Sequence, residues 1–305
     1  MTDRDATLPP SWRRELKPTE NGIYTGVARE DYEKLDYRVN WSTLKVMKKS
    51  PAHYRANLMK REKKDTDALK LGRAVHLAVL EPERFRTSYA VWDGERRAGK
   101  EWEAFKKKWA DCEILREEDY QEAKAIAEAA RNDRHAAAYL RDGAAEVTLL
   151  WTHSQPANGV PGFDMPCKGR MDFGAKAGVI VDLKTCRDGS PDGFSRAAWD
   201  LDYLAQAAFY VDGHAAASGT GEVLPYVIVA VEKEEPYVVQ VYTVPEHLLD
   251  MGRELYRSHL ARLSECRRES RWPGYSDGPM ELPLPRWMRS DDASGLGLVF
   301  EEDAA

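Results

Sequence analysis

The chain of 305 residues is 43% hydrophobic and 31% charged, with a formal net charge of −6. A chain of this length can bury a substantial core in one large domain or two small ones. Its mildly acidic balance argues against a protein that coats nucleic acid over its whole surface. The N-terminal residues hold no apolar signal-peptide core, and no apolar run is long enough to span a bilayer. We therefore expect a cytoplasmic protein without membrane contact.

The first 65 residues predict an irregular lead-in over residues 1–40, followed by basic helices that pack on a larger core. Asn40 and the pair Ser50-Pro51 are typical of helix N-termini. Between residues 43 and 64, eight lysines and arginines accompany a single acid, Glu62. This basic block is either a solvated helix face or a surface that contacts phosphate groups, and the pattern leaves both readings open.

Residues 66–270 predict the folded core, because helical and strand patterns follow one another there. The predicted helices cover residues 68–80, 117–140, 195–217 and 245–268, and the predicted strands cover residues 146–151, 165–173, 179–185, 226–232 and 237–243. This order predicts an α/β (α+β) fold with a mixed sheet of about five strands and helices on its faces. Residues 271–305 are rich in Pro, Ser and Asp and predict an extended C-terminal tail.

Residues 167–185 carry the clearest chemical signal. Two strand patterns joined by a Gly/Ala-rich turn contain Asp172 and Asp182, and Lys184 follows on the same strand face as Asp182. A charged pair directly after the apolar run 179–181 is costly in a covered strand unless something compensates it. Carboxylates that converge on a divalent metal beside an ammonium group would do so, and would suit metal-assisted phosphodiester cleavage. The alternative is a solvated salt bridge at a strand end.

The distance between the two aspartates depends on the hairpin register. If the turn is centred within residues 175–177, a regular hairpin leaves Asp172 several residues away from the partner of Asp182. We then expect a bulge or a strong twist to bring the two carboxylates together.

Four further residues are candidates for the same site because of their order in the chain. His76 lies in a predicted helix, Glu146 opens a predicted strand, and Gln206 and Tyr210 share one face of a helix. Each has an ordinary explanation: a structural histidine, an exposed acid, or a tyrosine in the core. The four cysteines, Cys112, Cys167, Cys186 and Cys266, form no Cys-x-x-Cys pair, so we expect reduced structural cysteines rather than disulfides or a zinc knuckle.

Taken in order, these residues resemble the RecB-like branch of the PD-(D/E)XK nuclease superfamily, and within it the nuclease domain of exonuclease VIII (RecE) and its phage relatives. The resemblance spans residues 20–276. It is carried by Trp41-Ser-Thr-Leu-Lys45, Ser50-Pro-Ala-His-Tyr54, Leu71-Gly-Arg-Ala-Val-His76, Gly169-Arg-Met-Asp172, Asp182-Leu-Lys-Thr185, Gln206-Ala-Ala-Phe-Tyr210, Val231-Glu-Lys-Glu-Glu-Pro-Tyr237 and Trp272-Pro-Gly-Tyr275. It implies that residues 66–270 form a restriction-endonuclease-like core.

The resemblance also implies a site. Mg²⁺ would be bound by His76, Asp172, Asp182 and the Leu183 backbone carbonyl. The imidazole of His76 makes Mn²⁺ a credible substitute. Lys184 would position the attacking water and offset transition-state charge, and Gln206 and Tyr210 would orient Lys184 or contact DNA. Glu146 is a possible accessory acid. The iron–sulfur branch requires a cysteine pattern that this chain lacks, so we expect no cluster.

The activity implied by the resemblance is 5′→3′ degradation of linear double-stranded DNA. Its product would be a 3′ single-stranded tail, used for recombination by a RecT/Bet-like single-strand-annealing protein in a bacterial or phage-infected cell. Relatives form rings around DNA, so a homo-oligomeric ring, a trimer or a tetramer, is expected. The candidate DNA-binding residues are Lys45, Lys48, Lys49, Arg73 and Arg170.

Three other functions compete with this interpretation. The same site could serve a structure- or site-specific endonuclease that grips DNA differently. The fold could instead belong to a catalytically silent DNA-binding protein, although the intact set His76, Asp172, Asp182 and Lys184 argues against it. A metalloenzyme that is not a nuclease would leave the basic block and the lysine unexplained.

Overall fold

The protein is built around a seven-stranded mixed sheet. The structure, a computed structural model, describes residues 12–14, 17–60, 66–94, 96–159, 161–276 and 278–284. The strands are β1 (Trp12–Arg14), β2 (Gly22–Thr25), β3 (Tyr89–Trp92), β4 (Glu113–Arg116), β5 (Gly143–Gln155), β6 (Phe163–Ala175), β7 (Val179–Cys186), β8 (Tyr226–Glu232) and β9 (Val239–Thr243). The large sheet has the order β1-β2-β5-β6-β7-β8-β9, and β3 and β4 form a small parallel pair.

Helices cover both faces of the large sheet. They are α1 (Arg29–Glu33), α2 (Trp41–Leu44), α3 (Pro51–Met59), α4 (Asp67–Leu80), α5 (Pro82–Ser88), α6 (Lys100–Lys108), α7 (Glu117–Asn132), α8 (Arg134–Leu140), α9 (Pro191–Asp200), α10 (Tyr203–Ser218) and α11 (Glu246–Glu269). Apolar side chains of α10 and α11 pack on one face, and those of α4 and α7 pack on the other. No helix in the described ranges is long and apolar enough to cross a membrane.

The centre of the sheet opens where β6 and β7 separate. These two strands form only three antiparallel pairs, next to the turn that joins them, and the last is Phe173 with Val181. Beyond that point β6 continues beside β5, with which it is paired along its length except at Asp172, while β7 continues beside β8 in parallel. The unpaired edges of β6 and β7 therefore diverge and leave a gap in the sheet.

The N-terminal segment fills the far part of this gap. Val39 forms a parallel bridge with Cys167 on the open edge of β6, and the neighbouring Arg38 is buried. The Arg38 guanidinium donates to the backbone carbonyls of Trp151 and Cys167, each at 3.2 Å. A buried guanidinium is tolerated only when its donors are satisfied, so these bonds tie the segment to the sheet.

The local helix signals are confirmed. The side chains of Asn40 and Ser50 accept hydrogen bonds from the backbone of Thr43 and His53 and so cap α2 and α3. Pro82 follows α4, as expected, and begins the next helix.

The mixed α/β architecture is confirmed, but the element count differs from the prediction. The sheet has seven strands rather than five, because β1 and β2 form within the lead-in that was predicted to be irregular. The predicted helix over residues 195–217 is two helices, α9 and α10. They are separated at Asp202, whose φ of 59° is incompatible with a continuous helix. Residues 285–305 of the predicted tail lie outside the described residues.

Two helical glycines should respond oppositely to alanine. A methyl group at Gly252 in α11 would lie 2.3 Å from the Leu204 carbonyl oxygen of α10, whereas one at Gly72 in α4 would meet no heavy atom within 4 Å. Gly252→Ala should lower the free energy of unfolding by about 1–3 kcal/mol through overpacking. Gly72→Ala should raise it by about 0.5–1 kcal/mol, because alanine loses less backbone entropy in a helix. Urea unfolding followed by circular dichroism would measure both, and identical midpoints would contradict this close packing.

A candidate nuclease site where two strands separate

Asp172 and Asp182 face each other at the point where β6 and β7 separate. The hairpin pairs Phe173 with Val181 and Ala175 with Val179, so the next positions outward are Asp172 and Asp182. The expected offset of several residues was wrong: the turn is centred on residue 177, at the end of the range considered, and a hairpin with this centre places positions 172 and 182 in register. No bulge between these strands is needed to bring them together.

Asp172 is held in the gap by the backbone of β7. The Leu183 N–H donates to Asp172 Oδ2 at 2.8 Å, and Nδ1 of His76 lies 3.7 Å from the same oxygen. His76 projects from α4, and its imidazole also hydrogen-bonds the Leu183 backbone. One carboxylate, one imidazole and one backbone segment thus meet at the gap.

Asp182 and Lys184 form a compact network beneath Asp172. Lys184 Nζ lies 2.8 Å from Oδ1 and 2.7 Å from Oδ2 of Asp182. Gln206 of α10 joins both residues, since its Oε1 accepts from Lys184 at 3.3 Å and its Nε2 donates to Asp182 Oδ1 at 3.2 Å. The Tyr203 ring lies 4.7 Å from the ammonium, one helical turn before Gln206. Helix α10 therefore orients the lysine from the face opposite to His76.

The carboxylates of the site are destabilised in their charged forms. Burial raises the pKa of Asp182 to about 6; the Lys184 ammonium opposes this shift, and the Asp172 carboxylate adds to it. Burial likewise raises the pKa of Asp172, against the lowering effects of Lys184 and the Leu183 N–H. Buried acids that crowd together in this way are typical of catalytic and metal-binding sites.

The cationic groups of the site are shifted in opposite directions. Burial is the main cause that lowers the pKa of His76, and repulsion from Lys184 lowers it further. The lowered pKa favours the neutral imidazole, which is the form able to bind a metal. For Lys184, burial acts to lower the pKa, but attraction to Asp182 and Asp172 outweighs it and the pKa is raised. The lysine is therefore a charged donor at neutral pH.

Glu146 adds a third acid at the same level of the sheet. Its neighbours in β5 pair with Phe173 and Met171, which places it opposite Asp172. Its φ of 54° is in the left-handed region, which is uncommon for a glutamate and often marks a functional position. Burial and the nearby Asp172 raise its pKa.

Two tyrosines complete the face of the site formed by α10 and β8. Tyr210 packs on β6, where a methyl group added at Gly169 would lie 3.1 Å from its ring. Tyr226 opens β8, and its buried hydroxyl has no hydrogen-bond partner among the described residues. Burial and the Asp182 carboxylate raise the pKa of Tyr226 well above its ordinary value. The sequence analysis missed Tyr203 and Tyr226. Tyr203 lies three residues before Gln206, and Tyr226 lies at the start of the strand beside Asp182. These positions were the available signals that the two tyrosines belong to the site.

The basic residues of the N-terminal helices lie outside this network. Lys45 and Lys49 are exposed, and Lys48 reaches Asp202 at 2.8 Å. Arg61, Lys63 and Lys64 of the basic block lie outside the described residues.

The two candidate arginines have internal partners. Arg73 of α4 lies 2.6 Å from Glu113 of β4. Arg170 lies 3.3 Å from Glu146 and donates to the Val27 carbonyl at 2.9 Å. Both guanidinium groups organise the protein around the site, and their contact with DNA stays a prediction.

The donor groups suit a divalent cation in type. Two carboxylates and a backbone carbonyl are the oxygen ligands that Mg²⁺ prefers, and an imidazole is accepted by Mn²⁺. His76 Nδ1 and Asp172 Oδ2 lie 3.7 Å apart, and these two groups would hold such an ion between them.

The third predicted side-chain ligand, Asp182, has its carboxylate in contact with Lys184 and Gln206. Across the described ranges, no three His, Cys, Asp or Glu side chains form a ready-made cage. Asp182 Oδ2 is close to Lys184 Nζ but accepts no well-directed hydrogen bond from the described residues, so it retains the capacity to coordinate. Asp182 would join the ion by loosening its contacts with Lys184 and Gln206.

Exposure of the side chains shows how a ligand would reach the site. His76 is 29% exposed and Asp172 17%, whereas Asp182 is 3% exposed. The first two residues therefore stand at the opening of the gap, and Asp182 lies at its base.

Comparison with known proteins supports the architecture. A crystal structure of the "Putative exonuclease" from Eubacterium rectale shares 18% sequence identity with this chain at a TM-score of 0.55, covering 87% of this chain and 97% of that one. A crystal structure of SSO0001 covers 71% of this chain and 85% of its own at 14% identity. Its TM-score of 0.27 is too low to support an inference. No curated protein matches the sequence. At these identities the first likeness concerns the fold.

The family assignment rests on the sequence itself. Residues 40–280 match the family described as a PDDEXK-like domain of unknown function (DUF3799). This range contains His76, Asp172, Asp182 and Lys184, the residues that the fold brings together at the strand gap. The family supports a nuclease, a hydrolase of phosphodiester bonds, and the structural neighbour supports the fold. The chain belongs to the PDDEXK-like family.

Proposed function

We propose that this protein is a metal-dependent exodeoxyribonuclease that degrades linear double-stranded DNA from its 5′ ends. The observation that carries the proposal is the meeting of Asp172 and Asp182 in register at an opening of the sheet, with His76 on one side and Lys184 on the other. This set combines ligands for a divalent cation with a charged donor for the phosphate.

Each residue has a distinct role in the proposed reaction. His76, Asp172, Asp182 and the Leu183 carbonyl would hold Mg²⁺ or Mn²⁺, and the bound ion would polarise the scissile phosphate and activate water. Lys184 would donate to the phosphate oxygen on which negative charge develops. Gln206, which contacts both Lys184 and Asp182, would keep the ammonium pointed at that oxygen.

The direction of cleavage and the partners rest on the resemblance to exonuclease VIII. A 5′→3′ nuclease leaves a 3′ single-stranded tail, the substrate of a single-strand-annealing protein. The exposed Lys45 and Lys49 would contact the DNA backbone, and a closed oligomer would keep the enzyme on one duplex. Duplex binding should weaken as salt rises, because each phosphate contact releases a counterion.

Substitutions at the strand gap should slow cleavage strongly without unfolding the protein. Asp172→Ala and Lys184→Ala should each slow degradation of a linear duplex by about 100-fold to about 1,000-fold, the usual cost of losing one electrostatic contact to the transition state. The matched control is Asp164→Ala, which removes an exposed aspartate from the same strand as Asp172. Rates would be measured as release of acid-soluble nucleotides in Mg²⁺. Activity of Asp172→Ala equal to wild type would overturn the proposed site.

The activity should depend on pH through Asp182. Its pKa of about 6 means that protons compete with the metal for this carboxylate, which can coordinate only when ionised. At subsaturating Mg²⁺ the rate should therefore rise with pH through about 6 and level off above it. Raising the Mg²⁺ concentration should move the midpoint to lower pH, since the ion binds the deprotonated form. A midpoint that ignores the Mg²⁺ concentration would count against Asp182 as a ligand.

End-labelled DNA separates the proposed exonuclease from the alternatives. A linear duplex labelled at its 5′ ends should lose the label early, whereas the 3′ label should persist on long single strands. Covalently closed circular DNA should survive, because it offers no end. Degradation confined to 3′ ends would reverse the proposed direction, and cleavage of closed circles would favour an endonuclease.

A further inference from the structure

A cluster of aromatic rings stands outside the cores of the protein. In the unit formed by β3, α6 and β4, Trp92, Trp102, Phe105 and Trp109 contact one another. The ring centroids are 5.3 Å apart for Trp92 and Trp102, 5.0 Å for Trp92 and Phe105, and 6.4 Å for Phe105 and Trp109. None of these residues belongs to the hydrophobic clusters of the described residues. Aromatic side chains of this size normally dominate a core, so their position needs another explanation.

Only the strands of this unit are anchored in the protein. Tyr89 of β3 and Leu115 of β4 are buried in the cluster that also contains α4 and α7. Helix α6 contains no buried residue, and Trp109 just beyond its end is 39% exposed. The helix is thus carried on the outside of the two strands, with its rings open to solvent on one side.

The rings and the cations of α6 alternate along the helix. Trp102, Phe105 and Trp109 recur at steps of three and four residues and therefore form one stripe. Lys106 Nζ lies 5.7 Å from the centroid of Trp102, and Lys108 Nζ lies 5.3 Å from that of Trp109. Two of the three rings, those of Trp102 and Trp109, thus have an ammonium beside them.

We propose that α6 is a binding platform for single-stranded DNA, with Trp109 stacking on an unpaired base and Lys107 and Lys108 contacting the flanking phosphates. Exposed aromatic rings interleaved with cations are the means by which proteins hold single strands without reading their sequence. A duplex keeps its bases paired and offers no free face to a tryptophan. The rings alone would also suit a protein partner, but the lysines beside them would not, because protein interfaces are enriched in aromatic residues and depleted of lysine.

The platform is connected to the catalytic helix. Arg73 lies on α4 one turn before His76 and forms an ion pair with Glu113, the first residue of β4. The unit that carries α6 is therefore fixed to the same helix that contributes the histidine to the strand gap. Building on the proposed function, the strand held by α6 is the one that resection leaves undegraded.

Binding can be tested apart from catalysis. The full-length protein would be titrated in EDTA with a fluorescein-labelled oligothymidylate, so that no cleavage occurs, and affinity would be read from fluorescence anisotropy. Trp109→Ala should weaken binding at least about five-fold, the lower end of the cost of one lost base–aromatic stack. The double variant Lys107→Glu/Lys108→Glu should weaken it by a similar or larger factor and reduce its dependence on salt. Thermal melts would verify that both variants are folded.

A matched control and a competitor decide the outcome. Trp199→Ala removes another exposed tryptophan, on α9 and away from the aromatic cluster, and should bind as wild type. An unlabelled duplex of the same length should compete poorly. Any of three results would overturn the platform: wild-type affinity in either α6 variant, an equal loss of affinity in Trp199→Ala, or full competition by the duplex. If Asp172→Ala retains wild-type nuclease activity while Trp109→Ala loses affinity, the proposed catalytic site fails and the platform stands.

Discussion

The separation of β6 and β7 after three pairs is the constraint on which the site depends. A continued ladder would bond the Leu183 N–H to the opposite strand. The Asp172 carboxylate accepts that N–H instead, at 2.8 Å. A buried backbone donor without a partner is costly, so the aspartate stabilises the separation of the strands while the separation leaves room for the aspartate. His76 and Gln206 can then approach from opposite faces of the sheet.

The same arrangement concentrates negative charge where water is scarce. Glu146, Asp172 and Asp182 lie at one level of three neighbouring strands. Lys184 compensates the two aspartates, and Arg170 compensates Glu146. The raised pKa values of all three acids express this cost. An unusual backbone conformation at Glu146 adds to it. Catalytic centres are commonly destabilised locally, and the large core around them holds them in place. The reason is that function and stability require different properties of the same residues.

Two peripheral parts of the chain flank this centre. The N-terminal segment closes one end of the gap through Val39 and Arg38 and carries exposed lysines on the helices that follow. On the other side, the unit of β3, α6 and β4 is joined to α4 by Arg73. The fold neighbour at 18% identity retains the architecture, since a packed sheet requires the pattern and volume of its side chains more than their identity.

Local sequence patterns were sufficient to predict the fold class, the N-caps at Asn40 and Ser50, and the shared strand face of Asp182 and Lys184. These properties follow from periods of two or 3.6 residues and from local hydrogen bonds, which neighbouring residues specify. Three other properties could be read only from the folded chain: the register of Asp172 against Asp182, the strand role of Gly22–Thr25, and the place of Tyr226 beside the site. Register depends on the centre of the turn, and strand pairing and the approach of distant side chains depend on contacts between remote segments. Local patterns do not encode such contacts, because a shift of one residue leaves the pattern of each strand intact while changing every partner across the sheet.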